Sequence, residues 1–167
     1  LFCLFFSGCT KDREEPSKSI HSYIDNKIAG DPIRIEIYKN EKPSINIESD
    51  SLYRYNEGNT ILFGGVYADL FDDEGDQTSV MYSDSAIIFN KSDSVRAIGK
   101  VLVESLKGFK LYAHEIILYN DIKLVKSEGN IMFTSDGDTL YGKGFWSNFD
   151  MTKSQILKPI GEMKDFN

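Results

Sequence analysis

The side chains best suited to chemistry are few and scattered. Histidine occurs only at His21 and His114, and neither has a Cys, a His or a carboxylate cluster at ligand spacing, so no metal site is expected. His114 directly precedes Glu115, but a single pair of this kind reads as the outer face of a strand rather than a catalytic dyad. Carboxylates gather at Asp72-Asp73-Glu74-Gly75-Asp76 and at Asp136-Gly137-Asp138. Neither run fits the twelve-residue calcium loop, which needs Gly at its sixth position and Glu at its twelfth. Turn chemistry explains both. The chain has no G-x-S-x-G nucleophile elbow and no glycine loop that would cradle phosphate. No catalytic residue and no cofactor is therefore expected.

Cys9 is the exception. Residues 1–6, LFCLFF, are apolar, and Ser7-Gly8-Cys9 is followed at once by charge. A short apolar run ending in small residues reads as a secretory signal peptide, too short to cross a bilayer. A Cys directly after those residues resembles the lipobox of bacterial lipoproteins, here F-S-G-C, with Phe6 where Leu is commoner. The expectation is a signal peptide over 1–8, cleavage before Cys9, diacylglycerol on its sulfur, and a polar tether through residue 19. Two or more acyl chains anchor a protein stably. With Cys3 in the removed part, the remaining domain, residues 20–167, has no internal disulfide and must be held by its core alone.

The elements that position everything else follow from composition and period. The chain has 167 residues, 41% hydrophobic and 13% aromatic, which suits one domain with a real core. A net charge of -7 argues against nucleic-acid binding. Residues 1–90 hold 8 Lys/Arg against 16 Asp/Glu, whereas 91–167 hold 11 against 10, so only the second half tolerates an anionic ligand. Ile20, Tyr23, Ile24 and Ile28 fall near one helical face, which allows a short N-terminal helix within 17–30. Asp31-Pro32 then breaks the pattern, and Ile33, Ile35 and Ile37 alternate as a half-buried strand. Another strand begins at Ile45 and Ile47.

From there the chain repeats itself. The pattern apolar-x-small-x-x-apolar recurs at Ile47-Ser49-Leu52, Met81-Ser83-Ala86, Leu111-Ala113-Ile116 and Leu140-Gly142-Phe145, in steps of 34, 30 and 29 residues. Between copies lie strict alternations: Val95, Ala97, Gly99, Val101, Val103, then Val125, Ser127, Gly129, Ile131, Phe133, and a weaker one through Leu62, Gly64, Val66, Ala68. Each repeat is a strand, a turn, and a second strand kinked after its small residue. Stacked units of this kind predict an all-β fold, a twisted antiparallel jelly roll with an unpaired strand at each end.

The hairpin from Gly99-Lys-Val101 through Leu111-Tyr-Ala113-His-Glu-Ile116 and the block Leu140-Tyr-Gly142-Lys-Gly144-Phe145-Trp-Ser147-Asn148 resemble the LptC family of lipopolysaccharide export, in a lipoprotein form. The resemblance covers about residues 45–162, and relatives of the LptA and OstA type share the repeat. It implies a non-enzymatic protein on the periplasmic face of the inner membrane. Its partners would be lipopolysaccharide, the Lpt inner-membrane ABC transporter and an LptA-like protein, each protein joined at one sheet edge. It also implies an apolar groove for lipid A acyl chains, lined here by Val66, Ala68, Val101, Val103, Leu111, Ile116, Leu118, Ile131, Phe133, Leu140 and Phe145. Lys100, Lys107, Lys110, Lys123 and Lys143 are candidates to meet phosphates at its rim. Two other readings remain open: a structural envelope lipoprotein that acts only through its edges, and a periplasmic glycan hydrolase with a carboxylate pair.

Overall fold

The computed structural model describes residues 24–55, 58–135 and 137–160, with 24–31 as backbone alone. The expected signal peptide, Cys9, the tether, His21 and Asp136 lie outside the described residues. The strands are β1 (Ile24–Lys39), β2 (Lys42–Tyr55), β3 (Thr60–Phe71), β4 (Gln77–Phe89), β5 (Ser94–Ser105), β6 (Lys110–Tyr119), β7 (Leu124–Ser135), β8 (Asp138–Asn148) and β9 (Ser154–Ile160). They form one nine-stranded antiparallel sheet in chain order, so β1 and β9 are its edges. Apart from a 3-10 turn at Asn90–Ser92, no helix occurs among the described residues.

The short helix does not form over its described part. Ile24 to Ala29 pair with Ser51 to Tyr55 of β2 as the first arm of β1. Their apolar spacing suits a helix, but pairing with β2 satisfies the same backbone groups along an otherwise open edge. Asp31-Pro32 does not separate two elements either. It sits in a register shift between Ala29 and Ile33 within one strand, where an edge tolerates a residue with no N–H. The acidic run at 72–76 is a turn, as expected: the Asp72 Oδ1 accepts the N–H groups of Glu74 and Asp76 at 3.0 and 2.9 Å.

The four repeat copies are β2, β4, β6 and β8. Each shifts its inward parity by one residue at its middle. In β4, Ser79, Met81 and Ser83 face inward, then Ala86 and Ile88; in β6, Leu111 and Ala113 do so, then Ile116 and Leu118. The intervening strands β3, β5 and β7 keep strict alternation and cross this line at Gly64-Gly65, Gly99 and Gly129. Register shifts therefore line up across the sheet as a crease, at Ser49/Ser51, Phe63/Val66, Tyr82/Ser85, Ile98/Val101, Ala113/Ile117 and Ser127/Asn130. At Gly99 a side chain is excluded. The glycine φ is +104°, and a Cβ would stand 2.3 Å from the Asp84 Oδ2.

Folded along the crease, the sheet closes on itself as a jelly roll, bringing opposite strand ends together. The Ser79 and Ser105 hydroxyls, at one end of the β4–β5 pair, donate to the carbonyls of Phe149 and Asp150 in the β8–β9 turn. Both inner surfaces fuse into one core that runs from Ile45 to Met151.

Candidate functional site

Antiparallel register sets the inner face strand by strand. Ile35, Ile47, Ala68, Met81, Val103, Leu111, Phe133 and Leu140 are successive cross-strand partners, one from each of β1 to β8. At about 4.8 Å between strands, this uninterrupted apolar rung extends roughly 30 Å. Directly opposed side chains on one face touch one another, so the rung is a continuous hydrocarbon track. Beside it run Val101, Ala113, Ile131 and Gly142, also in register.

Of the eleven residues expected to line a groove, ten are buried in the common core: Val66, Ala68, Val101, Val103, Leu111, Ile116, Leu118, Ile131, Phe133 and Phe145. They pack against each other rather than facing an open trough. Leu140 is different, being 53% exposed at the β8 end of the rung. Beneath it, Phe133 stacks on Phe109 with centroids 6.0 Å apart and contacts Phe145 at 5.4 Å. Among the described residues the inner face is thus closed along most of its length, with Leu140 left half exposed at its β8 end. Ile35, Ile47 and Met81 complete the rung but were not among the expected lining; their places in the alternation were the available signal.

The opposite part of the roll is closed by polar groups. Lys123, expected at a rim, is buried. Its Nζ donates to the Ser44 Oγ, which donates to the Asn120 Oδ1. The Asn120 amide in turn donates to both Asp93 carboxylate oxygens, at 3.1 and 2.9 Å. The Nζ also lies 5.5 Å from the centroid of the Phe149 ring. Burial pushes the Lys123 pKa down, against an upward pull from Asp73. This clasp ties the start of β2 to the β4–β5, β6–β7 and β8–β9 turns, and it explains how a lysine sits in an otherwise apolar interior: each donor has an acceptor or a ring face.

The remaining lysines do not line the inner face. Lys107 pairs with Asp150 at 2.7 Å and Lys110 with Glu104 at 2.5 Å. Lys100 and Lys143 are exposed on the outer face. The burial of Asp150 pushes its pKa up, but bonds from Lys107 and Thr152 outweigh this and bring it down to about 2. His114 and Glu115 do not act together: His114 is exposed, while Glu115 faces Arg96 at 3.3 Å. Among the described residues no helix is long and apolar enough to cross a membrane.

Two comparisons with known proteins bear on this geometry. A family model described as "Lipopolysaccharide-assembly, LptC-related" matches residues 8–160. No curated protein matches the chain.

Proposed function

Because the chain belongs to the LptC family of lipopolysaccharide assembly, and so to the machinery of lipopolysaccharide export, we propose that its inner face receives the acyl chains of lipid A. In this reading it is a non-enzymatic carrier that passes lipopolysaccharide from the inner-membrane ABC transporter to an LptA-like periplasmic protein. The observation that supports this best is the eight-strand apolar rung, ending at the half-exposed Leu140 beside the Phe109–Phe133–Phe145 stack. An acyl chain entering there parts the two layers and replaces side-chain contacts with lipid contacts. Each CH2 removed from water contributes about 0.8 kcal/mol, so about ten methylenes supply on the order of 8 kcal/mol without any specific hydrogen bond. The closed clasp around Lys123 makes the Leu140 mouth the easier end to part.

The edges supply the partners. Among the described residues β1 and β9 are the edge strands, and an added strand from another chain would continue the sheet and its apolar track. In this reading Cys9 carries the lipid anchor on the periplasmic face of the inner membrane, with residues 10–19 as the tether.

The test is photocrosslinking while the transporter hydrolyses ATP. A photoreactive side chain at Leu140, Phe133 or Leu111 is expected to capture lipopolysaccharide, and one at Thr134, on the outer face, is not. Silence at all three inner positions, or equal capture from Thr134, would sink the carrier reading. Silence with normal partner pairing would leave the edge-only lipoprotein, a reading favoured by the tight packing of the ten buried lining residues.

A further inference from the structure

The outer face carries a second in-register row that groove binding does not use. Tyr67, Tyr82, Leu102, Tyr112, Met132, Tyr141 and Ile160 are successive partners from β3 to β9. Each lies on the side of its strand opposite the core, and Tyr82 and Ile160 are both 42% exposed. Solvated sheet faces are normally polar at such positions. Here a strip of tyrosine and aliphatic side chains crosses seven strands. Tyr82, Leu102, Tyr112 and Met132 bound a shallow groove of about 750 Å3 along it.

Two residues along each of β5 to β9, toward the crease, stand Lys100, His114, Asn130, Lys143 and Lys158, all exposed. This second row contains no carboxylate. The acidic side chains nearby on the same strands are already engaged: Glu104 with Lys110, Glu115 with Arg96, and Glu128 with Lys126 at 2.9 Å. On the neighbouring β4, Asp84 accepts the backbone N–H of Lys100. The face therefore sets an apolar, tyrosine-rich rail beside a cationic one, on the half of the chain whose charge balance is +1. Tyr at the headgroup level and lysines on phosphates are how proteins hold a bilayer surface.

We propose that this outer face docks on the surface of a bilayer containing anionic phospholipid, with the tyrosine strip at headgroup depth and Lys100, Lys143 and Lys158 on the phosphates. This leaves the inner face and both sheet edges free, and it is independent of whether the inner face holds lipid.

The experiment uses the full chain with Cys3 and Cys9 replaced by serine, so that no acyl chain contributes. Vesicles of phosphatidylcholine are compared with vesicles containing phosphatidylglycerol as a minor component. Binding is expected to be roughly a hundredfold tighter to the anionic vesicles, at about fivefold per lysine. K100Q/K143Q/K158Q should abolish that gain, and K42Q/K91Q/K153Q should keep it. An environment-sensitive dye at M132C is expected to shift to the blue on binding, and one at I117C, across the crease, is not. Equal affinity for both vesicles would overturn the proposal. So would loss of the gain in both triple variants, or a dye shift at both positions. A dimer dispersed by the first triple variant, with no vesicle binding, would instead assign the face to a second copy.

Discussion

Gly142→Ala tests how β8 holds the edge strand β9. A Cβ at Gly142 would stand 2.2 Å from the Ile156 Cγ2, 2.9 Å from the Lys158 carbonyl oxygen and 3.4 Å from the Pro159 Cα. The methyl of Ile156 has little freedom, because a β-branched side chain is stiff at χ1. The carbonyl is backbone, so relief requires β9 to move. Overpacking of this kind costs typically 1–3 kcal/mol, while replacing Gly by Ala in a compatible conformation returns about 0.4–1 kcal/mol through the unfolded state. The clash wins, for a net loss of about 1–2 kcal/mol. For a chain of this size that is roughly 2–8 °C in melting temperature. Since β9 buries little beyond Ile156, much of the loss should appear as undocking of the edge. Amide exchange across Tyr141–Phe145 and Gln155–Ile160 is expected to quicken about tenfold, with β4 to β6 little affected. The matched control is Gly129→Ala, where a Cβ meets nothing within 4 Å; it should be neutral or slightly stabilising. Unchanged unfolding midpoint and unchanged β9 exchange in the Gly142 variant would refute the packing argument.

Asp150→Asn should cost about 1–2 kcal/mol near neutral pH in urea unfolding, after allowance for the partial exposure of Lys107. A carboxyl held at about 2 adds stability that is complete above about pH 4 and is lost as pH falls through 2, so the difference between variant and parent should shrink across that window. Ser79→Ala leaves the buried Phe149 carbonyl without its donor and is expected to destabilise by about 1–3 kcal/mol. Thermal unfolding checks it, and a shift under 1 °C would mean that the two layers are not joined there. Gly99→Ala combines a φ of +104° with the Asp84 contact and should cost about 2 kcal/mol or more. Adding Asp84→Ala removes the Oδ2 and Cγ contacts at 2.3 and 2.7 Å but keeps the Asp84 Cβ at 2.6 Å and the strained backbone, so stability should recover only in part.

Most of the sheet was readable because its signals are local. The pattern around Ser49, Ser83, Ala113 and Gly142 marks the kinked strands, and alternations such as Val95 to Val103 mark the straight ones. The first arm of β1 was not readable, since Ile24 and Ile28 satisfy a helical period equally well and only the open edge of β2 decides between the two. The inner face was legible as a set of residues but not as an arrangement. Alternation says that Phe133 and Leu140 face inward; whether anything covers them depends on how many strands follow. The clasp was invisible for a different reason. Lys123 and Asn120 share one turn, but Ser44 stands at a strand end 76 residues before Asn120, and no period connects them. The tyrosine strip on the outer face is similarly diffuse, with one side chain per strand that only register brings into line.

The crease also makes the hairpin a unit of length. Because each pair of strands shifts parity once and crosses the fold line at a glycine, a further pair could be inserted or removed without turning any existing side chain inside out. Every such pair would lengthen the inner track by about 10 Å and leave the first and last strands as they are. In the proposed reading, track length and partner recognition are thereby decoupled. Reach can be altered by duplication or loss of a segment of about 30 residues, while the first and last strands, the edges proposed to meet other proteins, stay the same.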